Sequence, residues 1–320
     1  MRRIAGRPAT IVATVALVVA ACTPAGAGPS TGADGTLGVV VTTTVIGDLV
    51  ERVGGEGVVV TSLVPKGGEV HTYDPRPSDL VTVAEASLVV MNGLGLDEWL
   101  GGLATDAGTS APVVRLGEEL EGVAYLEGGD HGHAEDGGAG GEEHADEAGV
   151  NPHLWLDVTI AARYVDRIAD ALASVDPAGA DGYRARAAAE RASLADLDAW
   201  VRERIATIPA ERRSFVSFHD ALPYYAAAYG LEIVGVVVEA PGQEPSAGEI
   251  ADLVAAIRAS GVRAVFSESQ FDPALARTLA DEAGATVVAN LYTDTLGDPP
   301  VDSYEGLVRW NTDRIVEALR

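Results

Sequence analysis

This 320-residue chain has six histidines and one cysteine, so few residues can supply soft or nitrogen donors. Three of the histidines, His131, His133 and His144, fall in an acidic, glycine-rich stretch, 127–150. The other three stand apart. His153 follows an Asn-Pro pair in Asn151-Pro-His-Leu-Trp-Leu-Asp157, and His71 lies in Gly67-Gly-Glu-Val-His-Thr-Tyr-Asp-Pro-Arg-Pro-Ser-Asp79. His219 closes the run Ser214-Phe-Val-Ser-Phe-His219, and Asp294 follows another apolar run. Imidazole and carboxylate are the donors that hold zinc and related divalent ions. Because Cys22 is the only cysteine, neither an intrachain disulfide nor a cysteine-based zinc site is available. Each residue also has an ordinary reading. His71 could bond Asp74 or Asp79, His219 could cap a helix beginning at Asp220, and Asp294 could stabilise its own turn.

The elements needed to bring these residues together can be read from the apolar pattern. From Leu37 onward, β-type runs alternate with helical stretches, the signature of parallel sheets covered by helices. Strands are expected at 37–43, 58–63, 88–92 and 112–116, and again at 214–218, 232–238, 264–267 and 285–291. The two sets repeat at an offset of 176, with Gly54 falling on Gly230, Val58 on Val234 and Pro65 on Pro241. The offset breaks after Pro65 and returns at Val89 and Val265. Between the sets, 158–208 carries apolar residues at helical spacing, such as Ile160, Tyr164, Ile168 and Leu172, then Leu194, Leu197, Val201 and Ile205. Asp176-Pro177 divides this region, because proline suits a helix's first turn and disfavours helical geometry just before it. The second helix, 177–208, would have about 32 residues and span ~48 Å as a stiff strut.

The expected fold is therefore α/β: two similar lobes, 37–157 and 209–320, each a four-stranded, mainly parallel sheet flanked by helices, joined by one long rigid helix. Ligands of parallel sheets bind beyond the carboxyl ends of the strands. His71, His153, His219 and Asp294 all fall on such ends, two from each lobe, facing a shared cleft. Histidine ligands commonly donate their second N–H to a carboxylate or carbonyl, which makes Asp157, Asp220 and Glu268 possible supporting partners. Glu69 is an alternative ligand beside His71.

Residues 1–21 read as an export signal, with Arg2, Arg3 and Arg7 preceding a short apolar run. Val19-Ala-Ala-Cys22 resembles a bacterial lipobox, which implies lipidation of Cys22 and anchoring to the outer face of the cell membrane. Residues 22–36 are poor in large apolar side chains and read as a flexible tether. Loss of 1–21, with three arginines and no acid, would move the formal net charge from −26 to −29. That balance disfavours nucleic acid and anionic membrane surfaces as partners.

Together, Val70-His-Thr-Tyr-Asp-Pro-Arg-Pro-Ser-Asp79, Asn151-Pro-His-Leu-Trp-Leu-Asp157, Phe218-His-Asp-Ala-Leu-Pro-Tyr-Tyr225 with Tyr229-Gly230, and Leu291-Tyr-Thr-Asp294 resemble the zinc and manganese solute-binding lipoproteins of bacterial ABC transporters. The resemblance runs from the lipobox to Arg320. It implies a monomeric, extracytoplasmic protein, not an enzyme, that captures a metal between two lobes and passes it to a membrane permease. Carried onto this chain, the ligands are His71, His153, His219 and Asp294. Manganese-type members tend to place a glutamate where His219 stands. Three imidazoles and one carboxylate suit four-coordinate Zn²⁺ better than Mn²⁺, which prefers more oxygen, so Zn²⁺ is expected and Mn²⁺ is the alternative. The acidic segment with His131, His133 and His144 resembles the histidine-rich loop of zinc-binding members and is a possible secondary metal loop. The competing enzyme class is a zinc hydrolase with Glu268 as base. Against it, four protein ligands would close a shell that catalytic zinc keeps open, and no HExxH helix is present.

Overall fold

A computed structural model describes residues 36–128, 149–238, 241–242 and 245–320. The export segment, Cys22, nearly all of the tether, and His131, His133 and His144 lie outside the described residues.

Runs rich in β-branched or aromatic residues begin each half. β1 (Leu37–Val41) leads into α1 (Thr44–Gly54), followed by β2 (Val58–Ser62), α2 (Pro77–Ala84), β3 (Leu88–Met91), α3 (Glu98–Asp106) and β4 (Val113–Arg115). Two helices follow, α4 (Val158–Val175) and α5 (Ala180–Ala206). The second half repeats the first: β5 (Ser214–His219), α6 (Pro223–Tyr229), β6 (Glu232–Val238), α7 (Ala247–Ser260), β7 (Ala264–Glu268), α8 (Ala274–Ala283) and β8 (Thr286–Leu291), closed by α9 (Tyr304–Leu319). The strand orders are β2-β1-β3-β4 and β6-β5-β7-β8, all parallel. The offset repeat is thus a repeat of topology, and the expected α/β fold of two four-stranded lobes holds.

Parallel strands are buried on both faces, so each sheet needs helices on both sides. On the outer faces, Val40, Val89 and Met91 pack with Val83 and Leu100, while Val216 and Val265 pack with Val254, Ile257 and Leu279. The inner faces share one core. It runs from Val39, Val41 and Val90 through Tyr164, Leu194 and Val201 to Phe215, Phe266 and Ile315. The connecting helices therefore lie across both lobes rather than bridging open space.

α5 has 27 residues, about 40 Å at ~1.5 Å per residue, and starts three residues later than the proline suggested. Gly179 N–H donates to the Asp176 carbonyl at 3.2 Å, so Pro177 opens a turn and not the helix itself. At the other end Thr207 and Ile208 bond back three residues to Arg204 and Ile205, which tightens the last turn and stops the helix. The helix after His219 begins at Pro223, so His219 caps no helix at Asp220. Among the described residues no helix is long and apolar enough to cross a membrane.

Candidate metal centre

Strand ends deliver the donors. β5 terminates at His219 and β7 at Glu268. Asp294 sits three residues past β8, and His71 lies in the loop between β2 and α2. His153 precedes a 3-10 turn, Leu154–Leu156. All four expected ligands meet: His71, His153, His219 and Asp294 offer donor atoms that lie within 4.8 Å of one another. His153 Nε2 is 3.3 Å from His71 Nε2, 3.4 Å from His219 Nε2 and 3.5 Å from Asp294 Oδ1. His153, His219 and Asp294 are fully buried, while the His71 side chain keeps 9% exposure. Of the four, His71 is the one solvent reaches.

The groups behind two rings decide what the Nε2 atoms can do. His219 Nδ1 donates to Glu268 Oε1 at 2.9 Å, and His153 Nδ1 donates to Asn151 Oδ1 at 3.1 Å. With Nδ1 carrying the proton, the neutral ring turns an Nε2 lone pair inward. Two such lone pairs 3.4 Å apart repel unless a proton or a cation lies between them. The surroundings are acidic: Glu268 Oε2, Glu69 Oε2 and Asp294 Oδ1 are buried with no hydrogen-bond partner. Burial lowers the pKa of His219, but Glu268, with Asp294 and Glu69 beyond it, outweighs this and holds it at about 9. Glu69 and Asp294 are both pushed above the ordinary carboxylate range, first by burial.

Of the expected supporting carboxylates, Glu268 contacts a histidine of the cluster. Asp220 accepts from Asn151 Nδ2 at 3.0 Å and stands behind His153 at one remove. Asp157 instead caps α4, accepting from Thr159 N and Oγ1 at 2.8 and 2.7 Å, and does not join the centre. Glu69 Oε1 accepts from the His71 backbone N–H at 2.8 Å. Sequence reasoning missed Asn151 as the partner of His153, and Gln270, whose Nε2 donates to Asp294 Oδ2 at 3.1 Å. It also missed a buried anchor. Asp97 accepts from Thr42 Oγ1 at 2.6 Å, Asn92 N at 2.7 Å and Gly93 N at 2.8 Å, while Asn92 Nδ2 donates to the Pro152 carbonyl at 3.0 Å. The ends of β1 and β3 thereby hold the turn that presents His153. Hydrogen bonds also tie the lobes together around the centre. Gly67 N–H donates to the Leu296 carbonyl at 3.1 Å, Leu296 N–H to Thr44 Oγ1 at 2.8 Å, and Trp155 Nε1 to the Thr293 carbonyl at 2.8 Å.

The family model for ZnuA, zinc-uptake complex component A (periplasmic), matches residues 39–318. The chain belongs to this family. It is 31% identical over 311 residues to the manganese-binding lipoprotein MntA of Halalkalibacterium halodurans, covering 97% of each chain. It is also 31% identical over 283 residues to the iron-binding protein YfeA of Yersinia pestis, covering 88% of this chain and 86% of that one. The solved structure of the periplasmic zinc binding protein TroA from Treponema pallidum superposes with a TM-score of 0.77 at 28% identity, covering 89% of this chain and 99% of that chain. These names agree on the class and differ on the metal. Members of the family are solute-binding proteins of ABC transporters, so the chain is not an enzyme. The zinc-hydrolase reading is set aside.

Proposed function

We propose that this protein captures Zn²⁺ through His71, His153, His219 and Asp294 in the cleft between its lobes and delivers it to the permease of an ABC-type importer. The convergence of four donors within 4.8 Å of one another carries this reading. Bonds of ~2.0–2.1 Å in a tetrahedron separate neighbouring donors by about 3.3–3.4 Å, and His153 Nε2 stands 3.3, 3.4 and 3.5 Å from the other three. Nδ1–H donation to Asn151 and Glu268 points the Nε2 lone pairs of two rings inward. Three nitrogens and one oxygen favour zinc over manganese, which asks for more oxygen donors. Lipidation of Cys22 would hold the protein outside the cell membrane with 22–36 as tether, and the segment with His131, His133 and His144 would offer a looser second site. Manganese is the second reading, favoured by the name of the relative from H. halodurans and by the unpartnered Glu69 Oε2 as a further oxygen donor. Metal analysis of protein purified without added metal, followed by Zn²⁺/Mn²⁺ competition, tests the choice. Co-purification with zinc and preference for it are expected; co-purification with manganese and retention of it against equimolar zinc would reverse the assignment.

A further inference from the structure

We propose that Gln270, in the turn after β7, sets the metal selectivity of the centre by holding Asp294 in a one-oxygen binding mode. This rests on the four-donor zinc reading above. The two oxygens of Asp294 have different surroundings. Oδ1 is buried with no hydrogen-bond partner and lies 3.5 Å from His153 Nε2, close to the ~3.3–3.4 Å edge of a zinc tetrahedron. Oδ2 accepts from Gln270 Nε2 at 3.1 Å and stands 4.0 Å from His71 Nε2, outside that edge.

The backbone carrying Asp294 is already fixed, because the neighbouring Thr293 carbonyl accepts from Trp155 Nε1 at 2.8 Å. Rotation of the carboxylate about its own axis is the freedom that remains, and the amide of Gln270 restricts it together with the Thr293 hydroxyl. Gln270 Nε2 lies 3.4 Å from Thr293 Oγ1, so its own position is steadied by the same segment. With Oδ2 held away, the protein offers four donors. Were the carboxylate free to turn, both oxygens could bind and the count would rise to five. Zinc in a closed protein site takes four donors, whereas Mn²⁺ favours oxygen-rich shells of higher coordination. Gln270 is thus a positioning residue whose effect is on the choice between ions, beyond tightness of binding.

The test uses Co²⁺ as a spectroscopic stand-in for zinc in the full chain, with Zn²⁺ and Mn²⁺ affinities measured by chelator competition. The parent is expected to give the intense visible absorption of four-coordinate Co²⁺. In Gln270→Leu that absorption weakens toward the five-coordinate pattern, and the Zn²⁺/Mn²⁺ affinity ratio falls by roughly tenfold or more, the scale typical for losing a residue that orients a ligand. If Gln270→Leu does not fold, as judged by circular dichroism, Gln270→Asn carries the test, since its amide is one methylene short of Oδ2. An unchanged Co²⁺ spectrum and ratio overturns the proposal while leaving the zinc centre intact. So does an equal loss of affinity for both ions, which marks a merely structural role. A parent spectrum that is not four-coordinate removes the four-donor reading and this inference with it.

Discussion

At His219, burial favours the neutral ring while the Glu268 carboxylate, 2.9 Å from Nδ1, favours imidazolium and prevails, holding the pKa at about 9. Ion-free His219 is therefore cationic at pH 7, and a metal reaches Nε2 only by displacing a proton. Zinc binding should release at least one proton at neutral pH, with apparent affinity rising by about tenfold per pH unit for each proton displaced, up to the pKa. Calorimetric titrations in buffers of differing ionisation enthalpy count these protons; heats independent of buffer would contradict the prediction. Glu268→Gln should reduce proton release and weaken zinc binding by roughly 10–100-fold, and unchanged affinity in chelator competition would remove Glu268 from its supporting role. His219 and Glu268 were legible in the sequence because both close strands of one parallel sheet, where strand ends share an edge. Gln270 was not. Whether a loop side chain turns inward depends on the path of its loop, which here is held by the Ser269 N–H on the Leu291 carbonyl and the Phe271 N–H on the Glu268 carbonyl and not by local spacing. Asp157 misled for the opposite reason, since its carboxylate is already engaged by the first turn of α4.

All eight strands lie within one or two residues of the expected limits, because short apolar runs bounded by turn residues mark them. Helix limits were harder to read. Pro177 suits a first helical turn and a plain turn equally, and only the Gly179 to Asp176 hydrogen bond distinguishes the two. The joint between β1, β3 and the His153 turn was invisible to pattern, since Asp97, Asn92 and Thr42 are polar residues buried by tertiary contact. That joint has a measurable consequence. Asp97→Ala strands three buried donors, the Thr42 hydroxyl and the Asn92 and Gly93 N–H groups, and should cost on the order of 3 kcal/mol. Urea denaturation reads this directly, and a loss below ~0.5 kcal/mol, the scatter of ordinary surface changes, would show that the network does not support the fold.

The two lobes share one core through α1, α4, α5 and α9, and this governs how the whole molecule behaves. Sequence symmetry suggested two bodies and a strut, but periodicity cannot tell whether a helix spans a gap or lies in a shared core. The inner sheet faces settle it, since Val39 and Phe215 belong to the same cluster. Metal-free protein should therefore unfold in one cooperative transition, with calorimetric and van't Hoff enthalpies agreeing, and zinc should move that transition upward by mass action. Two separated transitions would show lobes that unfold independently. The central claim, that four distant residues close around one ion, is tested most directly by a crystal structure of the zinc-loaded protein with anomalous diffraction at the zinc edge. The account predicts one strong peak bonded to Nε2 of His71, His153 and His219 and to a single oxygen of Asp294, at ~2.0–2.2 Å each. A peak elsewhere, or one lacking any of these three imidazoles, would contradict it.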